Sequence, residues 1–460
     1  MEDQSSDKPK VCVIGAGPTG LVALRHFKDI ADWTCYEIKD QIGGLWVYTE
    51  KTDETVSKED MYYKLYGHTH ESIYHGLTMV IPKWFFAFKD FPPELDITHY
   101  DHYEQLEYLQ KYAEHYDIVK YVNFNTAVVD VAKDTSEKWK VTTQTNSEES
   151  VQYFDHVIVC NGHNSIPYYP TGQVVDIDKF EGKVLHTHNI RQTHSEMFEK
   201  KSILLVGARW SAIDLMYQLI HDKKPSGSVD FAKIYVLIGD FKFTPFVDNE
   251  KVVFMNGHKV EFGANSVKFE DGTEADIDTV VYCTGYKFSF PFIQDENLLQ
   301  FEEEQRYFGP LFHRIFNIND PTLMFAGQGD NNAIIQVVME KQIIVAKYFI
   351  EGKIKLPSKE DMLADLENDK NEIITSFKNL RNFYKGDVPT QWKYVEQLQK
   401  LLKDNSIEPT ELNTKFNDTL NEMIKFFGVS LGKNDFVELK TYDYNKLIPD
   451  DFEYDTTDYF

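Results

Sequence analysis

The segment from Val11 to Gly20, VCVIGAGPTG, constrains this chain more than any other. Its apolar start reads as a buried parallel strand, because both faces must be covered when no polar residue alternates. Gly15 permits the tight turn, Gly17 lets backbone approach a pyrophosphate, and Gly20 lets a helix pack closely on the strand. The next stretch, TGLVALRHFKDI, reads as a helix. Its N-terminus, at Pro18 and Thr19, offers free N–H groups and a positive dipole end to phosphates. A second strand, WTCYEI, closes on Glu37, whose carboxylate suits ribose hydroxyls and repels a 2′-phosphate. Strand, glycines, helix, strand and acidic end, in that order, predict a Rossmann unit that binds a dinucleotide.

The pattern recurs. Residues 203–212 read ILLVGARWSA, again an apolar strand, a glycine turn and a helix start. HVIVCNGH (156–163) and TVVYCTGY (279–286) both read as buried strands ending in Asn-Gly or Thr-Gly, and LMFAGQGDN (323–331) is a third, followed by a helical pattern to Gly352. The expected fold is α/β, with two Rossmann-like dinucleotide-binding domains. One spans 10–167 and is re-entered at 305–460, which also carries a charged helical C-terminal region. The other, smaller, is inserted at 168–304. Between Met61 and His102 an aromatic, His-rich stretch without clean periodicity reads as loops and short helices covering a site.

Charge and cysteines narrow the function. The formal net charge is -26, which repels phosphate backbones and anionic lipid, so neither nucleic acid nor a membrane surface is an expected partner. No apolar run approaches the roughly 18 residues of a membrane span, and the first ten residues lack an apolar signal segment. The four cysteines, Cys12, Cys35, Cys160 and Cys283, each lie in or beside an apolar strand and form no CxxC pair. They read as buried reduced thiols of a cytoplasmic protein, with no redox disulfide and no metal cluster.

After Glu37 comes KDQIGGLWVY, in which Gly43 and Gly44 precede Leu45 and Trp46. With this GGxW stretch the chain resembles the class B flavoprotein monooxygenases, the flavin-containing monooxygenase family, and within it the soluble bacterial trimethylamine-monooxygenase type. FNTAVVDV (124–131), FEGKVLHTHN (180–189) and IEGKIKLPSKEDM (350–362) extend the likeness over most of the chain. The resemblance implies FAD at the first glycine turn, with Gly43, Gly44, Leu45 and Trp46 along the flavin. Gln342 falls where that group has a glutamine on its last FAD-domain helix. It also implies NADPH at the second turn, through Gly207, Arg209, Trp210, Ser211 and Ala212. The implied reaction is oxygenation of a small amine or sulfide through a C4a-hydroperoxyflavin.

Three functional features of the family pattern are altered. The second turn normally reads GxGxSA; here Arg209 stands at its middle glycine, where it either clamps a phosphate or fills the groove. After the strand KIYVLIG comes Asp240, with Lys242 nearby, where an arginine usually grips a 2′-phosphate. NADPH, NADH and no nicotinamide cofactor therefore all stay open. In YYKLYGHTHES, His68 takes the place of the asparagine that donates a hydrogen bond on the oxygen side of the flavin. In the FxGxxxH motif, Phe180, Gly182 and His186 match, and Ile190 replaces an aromatic; His186 reads as a hinge residue. The chain thus keeps its flavin features more clearly than the means to reduce the flavin. Beside an active monooxygenase, two alternatives stand: an impaired family member serving as a structural or interaction subunit of a larger assembly, and an oxidase or dehydrogenase on the same fold. The acidic, aromatic tail would suit docking into an assembly, and a homodimer is the other association considered.

Overall fold

Val11, Cys12 and Val13 are wholly shielded from solvent, because the strand Lys10–Ile14 lies at the interior of a sheet. The computed structural model describes residues 8–79, 82–88, 90–93, 99–193, 196–221, 229–239, 249–331, 335–386 and 388–409. Asp240 and Lys242, the C-terminal tail and the later part of the expected helical C-terminal region lie outside these residues.

The first sheet has seven strands. At its centre, Lys10–Ile14 pairs in parallel with Asp32–Tyr36 on one side and His156–Val159 on the other. Val122–Asn123 extends it beyond Asp32–Tyr36, and Leu323–Phe325 extends it beyond His156–Val159. Two short antiparallel strands, Phe316–Asn317 and Leu311–Phe312, finish that edge. The helix Pro18–Phe27 buries Leu21, Val22, Leu24 and Phe27 against this sheet. It meets the helix Ile335–Ile350, which shares the same core.

The second sheet repeats the scheme with five parallel strands, in the order Lys183–His186, Thr279–Tyr282, Ser202–Val206, Lys233–Leu237, Val252–Met255. Its glycine turn leads into the helix Trp210–His221. The architecture is mixed α/β with two Rossmann-like sheets, and the chain leaves the first sheet, builds the second and returns. The two crossings meet: Ile166–Pro167 pairs antiparallel with Tyr286–Lys287. Among the described C-terminal residues, Lys359–Phe377 and Val388–Asp404 are helices.

The two corners share one geometry. Gly15 has φ +101°, and a Cβ there would lie 2.7 Å from the Cys160 carbonyl oxygen. Gly207 has φ +103°, and its Cβ would lie 2.8 Å from the Cys283 carbonyl oxygen. Each turn slides beneath the end of the neighbouring strand, so only hydrogen fits. Gly20 is tighter still, since a methyl group would run into the Gly15 carbonyl. Gly20→Ala is expected to lower stability by about 3 kcal/mol. Gly67→Ala, at φ +75° with nothing within 4 Å, should cost about 1 kcal/mol from backbone strain alone. Urea unfolding midpoints of the two variants would check this; equal losses would contradict the close-packing account.

Candidate functional site

The first glycine turn opens on a large cavity with about 1220 Å³ of free space, its mouth included. Its wall runs from the glycine turn past Trp46 to Asn161 and Gly329, an extent that suits an elongated dinucleotide. Gly15, Gly17, Pro18 and Thr19 form its floor at the start of the helix Pro18–Phe27. That helix has Gly17 as its N-cap and no side-chain cap, so its leading N–H groups are left for a ligand. Gly17 and Gly44 lie back to back: a Cβ on Gly44 would sit 2.9 Å from Gly17 Cα. The GGxW stretch is therefore held against the phosphate-type turn by the lack of side chains. Leu45 and Trp46 line the cavity, and Phe86 meets Trp46 edge-on at 5.6 Å. Gly20 and Gly43 lie behind the wall, Gly20 under the turn and Gly43 at φ +119° before the short helical turn Gly44–Trp46.

Glu37 lines the same cavity beside the glycine turn. The Ala16 N–H donates to Glu37 Oε2 at 2.6 Å and the Lys39 N–H to Oε1 at 3.0 Å. Burial raises its pKa, and these two donors oppose the rise. Each oxygen retains a second lone pair for ribose hydroxyls. Around the same cavity, Tyr36 Oη, His70 Nδ1 and Gln336 Oε1 are buried with no partner among the described residues. Buried polar atoms of this kind are normally satisfied, and a polar ligand in the cavity would satisfy them. The cradle of glycines, the open helix end, the acidic terminus and the orphaned polar atoms together fit a flavin dinucleotide.

Described residues of the stretch 61–102 supply one wall of the cavity. A short helix, Met61–Tyr66, places Tyr62 and Tyr66 on the cavity wall, stacked at 4.3 Å. It ends at Gly67, in the left-handed region, and the chain then turns so that His70, rather than His68, lines the cavity. Burial pushes the His70 pKa down to about 4, so its ring is neutral at pH 7 and carries one donor and one acceptor. His68 faces another way, and its Nδ1 donates to Asp53 Oδ2 at 2.9 Å.

Asp53 gathers further donors: the Thr69 N–H at 2.7 Å to Oδ1 and Asn189 Nδ2 at 3.0 Å to Oδ2. His188 Nε2 lies 3.4 Å from Oδ1 and 3.0 Å from Thr69 Oγ1. Asp53, His68 and His188 present ligand atoms within 4.8 Å of one another, but the carboxylate is already saturated by donors and needs no cation. Beside them the buried Arg191 donates to the carbonyls of Lys51, His188 and Glu71 at 2.8, 2.6 and 3.0 Å. His186 uses both ring nitrogens: Nε2 donates to the Gly285 carbonyl at 3.1 Å, and Nδ1 accepts from the His188 N–H at 3.0 Å. Only the neutral ring can do both, and burial pushes its pKa down to about 3. His186, His188 and Arg191 thereby tie the loops at 51–71 to the entry of the second sheet. Ile190 is buried in the core of that sheet.

Gln342 lies outside the cavity wall. Its Oε1 accepts from the Gly327 N–H at 3.0 Å and its Nε2 donates to Tyr394 Oη at 2.8 Å, so it braces the strand end that the cavity uses. The same helix turns Gln336 and Met339 inward. At the second turn, Arg209 is exposed at the start of the helix Trp210–His221, Ser211 is half-buried, Ala212 is buried, and Trp210 packs on the first core. Sequence reasoning passed over Tyr62, Tyr66, His70 and Gln336. The strand ending VCNGHN did carry a signal, since Asn161, His163 and Asn164 line the cavity just past its end.

Comparison with known proteins agrees with this geometry. The family model "Flavin-binding monooxygenase-like" matches residues 8–225 and 249–433, and the chain belongs to that family. Dimethylaniline monooxygenase [N-oxide-forming] 2 of Rattus norvegicus is 28% identical over 91% of this chain and 86% of its own length. Flavin-containing monooxygenase 5 of Homo sapiens is 25% identical, over 89% and 85%. In fold the chain is similar to S-allyl-L-cysteine S-oxygenase from Allium sativum, with TM-score 0.77, 24% identity and 95% of both chains covered. It is also similar to Tmm from Pelagibacter sp. strain HTCC7211, with TM-score 0.74, 22% identity, and 94% and 92% covered. Among the described residues no helix is long and apolar enough to cross a membrane.

Burial pushes the Asp53 pKa up, but hydrogen bonds from His188, His68 and the Thr69 N–H outweigh it and hold the carboxyl well below its usual range. A folded pKa below the unfolded value of about 3.9 means that the contribution is complete above that pH. It is lost as pH falls toward the folded value. Asp53→Ala is expected to cost about 2–4 kcal/mol at pH 7, because several buried donors lose their acceptor. The gap from wild type should shrink below pH 4. Urea midpoints from pH 2.5 to 7 would show it, and a gap independent of pH would be the contrary result.

Proposed function

We propose that this protein is an FAD-dependent monooxygenase that places one oxygen atom on the nitrogen or sulfur of a small soft nucleophile. The observation that carries this reading is the cavity at the first turn, where Gly15, Gly17 and Gly44 leave room for a pyrophosphate-bearing flavin and Glu37 waits at the ribose end. The chain divides, in this reading, into a FAD-binding part at 10–167 and 305–460 and a nicotinamide-type unit at 168–304. A bound flavin supplies hydride acceptance and oxygen activation. The chain's own work is to orient the cofactor through the glycine cradle, exclude water with Tyr62, Tyr66, Trp46 and Phe86, and place one neutral donor, His70, at the wall. His70 is the group assigned to hydrogen bonding there, since His68 is committed to Asp53.

The relatives support the chemistry by their names: one forms N-oxides and one structural neighbour oxygenates the sulfur of S-allyl-L-cysteine. The exposed Arg209 supports nicotinamide binding, because a guanidinium outside the turn leaves the helix N-terminus open and can meet a phosphate. NADPH is the reductant expected of the family and NADH the alternative. A second reading, FAD retained for folding in a subunit without turnover, draws on the same residue, since the turn has lost the glycine that lets a pyrophosphate approach.

Rapid mixing of the oxidised protein with NADPH and, separately, NADH should bleach the flavin band near roughly 450 nm, followed by oxygen uptake. Failure of both nucleotides, with and without a candidate amine or sulfide, would sink the monooxygenase reading and leave the non-catalytic and oxidase readings. Gly44→Ala is expected to lose most bound flavin on gel filtration, because the new methyl separates Gly44 from Gly17. Retention of full flavin would refute the cradle.

A further inference from the structure

A second, smaller cavity adjoins the first and has a different character. It holds about 380 Å³ of free space, its mouth included, and His163 and Asn164 line both cavities. Lys287, Arg306, Arg381 and Lys385 converge on it from three separate stretches of chain. This convergence is unexpected in a chain with 74 acidic and 48 basic side chains, where most cations should find a carboxylate. Among the described residues Lys287, Arg306 and Arg381 form no ion pair.

Arg306 is held in place by uncharged partners. Arg306 lies over the Tyr168 ring, 3.9 Å from its centroid, and its Nε donates to the Glu303 carbonyl at 3.2 Å. Arg306 and Lys287 help to lower the pKa of Glu304, whose two oxygens accept from the hydroxyls of Tyr168 and Thr171. The Glu303 carboxylate accepts from the Leu380 N–H at 3.2 Å. Burial lowers the pKa of Arg306; Tyr168 counters, and the charge of Arg381 adds to the lowering, as expected of cations that face one another across a cavity.

We infer that this cavity is an oxyanion-binding subsite, built from Arg306, Arg381 and Lys287, that seats the carboxylate of a substrate whose sulfur or nitrogen enters the flavin cavity past His163 and Asn164. The inference rests on the monooxygenase reading for the identity of the substrate, but the subsite itself does not. Guanidinium forks match a planar carboxylate with paired hydrogen bonds, and partial desolvation strengthens them. A free inorganic anion offers the same chemistry, so the source has to be distinguished by experiment.

Two measurements on the flavin-loaded protein do so. The first titrates acetate and inorganic phosphate into wild type, Arg381→Gln and Arg381→Lys, read by the flavin difference spectrum and by thermal shift at constant ionic strength. Arg381→Gln should weaken anion binding about tenfold, and Arg381→Lys should restore part of it. The second compares (methylthio)acetate with its neutral methyl ester as sulfide substrates. The ratio of their kcat/KM values should fall about tenfold in Arg381→Gln. Flavin-to-protein ratios establish that each variant is folded, and Lys287→Gln provides an independent removal of charge. Anion binding lost without a change in that ratio would support the subsite and assign it to a free anion. Anion binding that Arg381→Gln weakens, with flavin that neither NADPH nor NADH reduces, would support the subsite and sink the monooxygenase reading. Equal anion binding and an equal ratio in wild type and Arg381→Gln would overturn the subsite.

Discussion

Everything in this molecule depends on one close approach, the backbone of Gly15 passing under the Cys160 carbonyl while Gly20 presses on Gly15 from the helix side. That corner sets the distance between the helix Pro18–Phe27 and the sheet, and so the depth of the apolar layer holding Leu21, Val22 and Leu24. It also leaves the helix end uncapped and pointing into the cavity. Packing and ligand binding therefore draw on the same glycine corner, and neither can be altered alone. The second sheet repeats the device at Gly207 and Cys283, which is why the internal echo in the sequence was so informative.

Glycines and strand ends were legible because their requirement is local. A residue with φ near +100° against a carbonyl can only be glycine, whatever else the chain does. The fold class and the family followed from such positions. Placement inside loops was not legible, and the pair His68 and His70 shows why. Gly67 turns the chain at φ +75°, and the facing of the next three residues is then decided by Asp53 and Arg191, which are remote in sequence. Alignment to a family pattern singled out His68, whereas long-range hydrogen bonds put His70 on the wall. Gln342 has a similar lesson: a polar residue on a helix beside a cofactor site can serve the backbone at Gly327 instead.

The basic cavity was invisible in sequence for a related reason. Lys287, Arg306 and Arg381 belong to stretches with no motif, and each looks like an ordinary surface charge in its own context. Only the return of the chain to the first sheet brings them together, next to the strand end that carries His163. The network of His186, His188 and Arg191 is assembled in the same way, across the junction between the sheets.

The antiparallel pairing of Ile166–Pro167 with Tyr286–Lys287 has a consequence for synthesis. The five-stranded sheet is contiguous, from Lys183 to Tyr282, and is bracketed by that ribbon. The seven-stranded sheet is not, because His156–Val159 lies between Lys10–Ile14 and Leu323–Phe325. A nascent chain that ends between Val159 and Leu323 carries an open, apolar edge at His156–Val159, and the inserted sheet can close, once Tyr282 is made, before that edge is covered. Growing chains of this protein thus pass through a long interval in which their earliest residues wait for some of their latest.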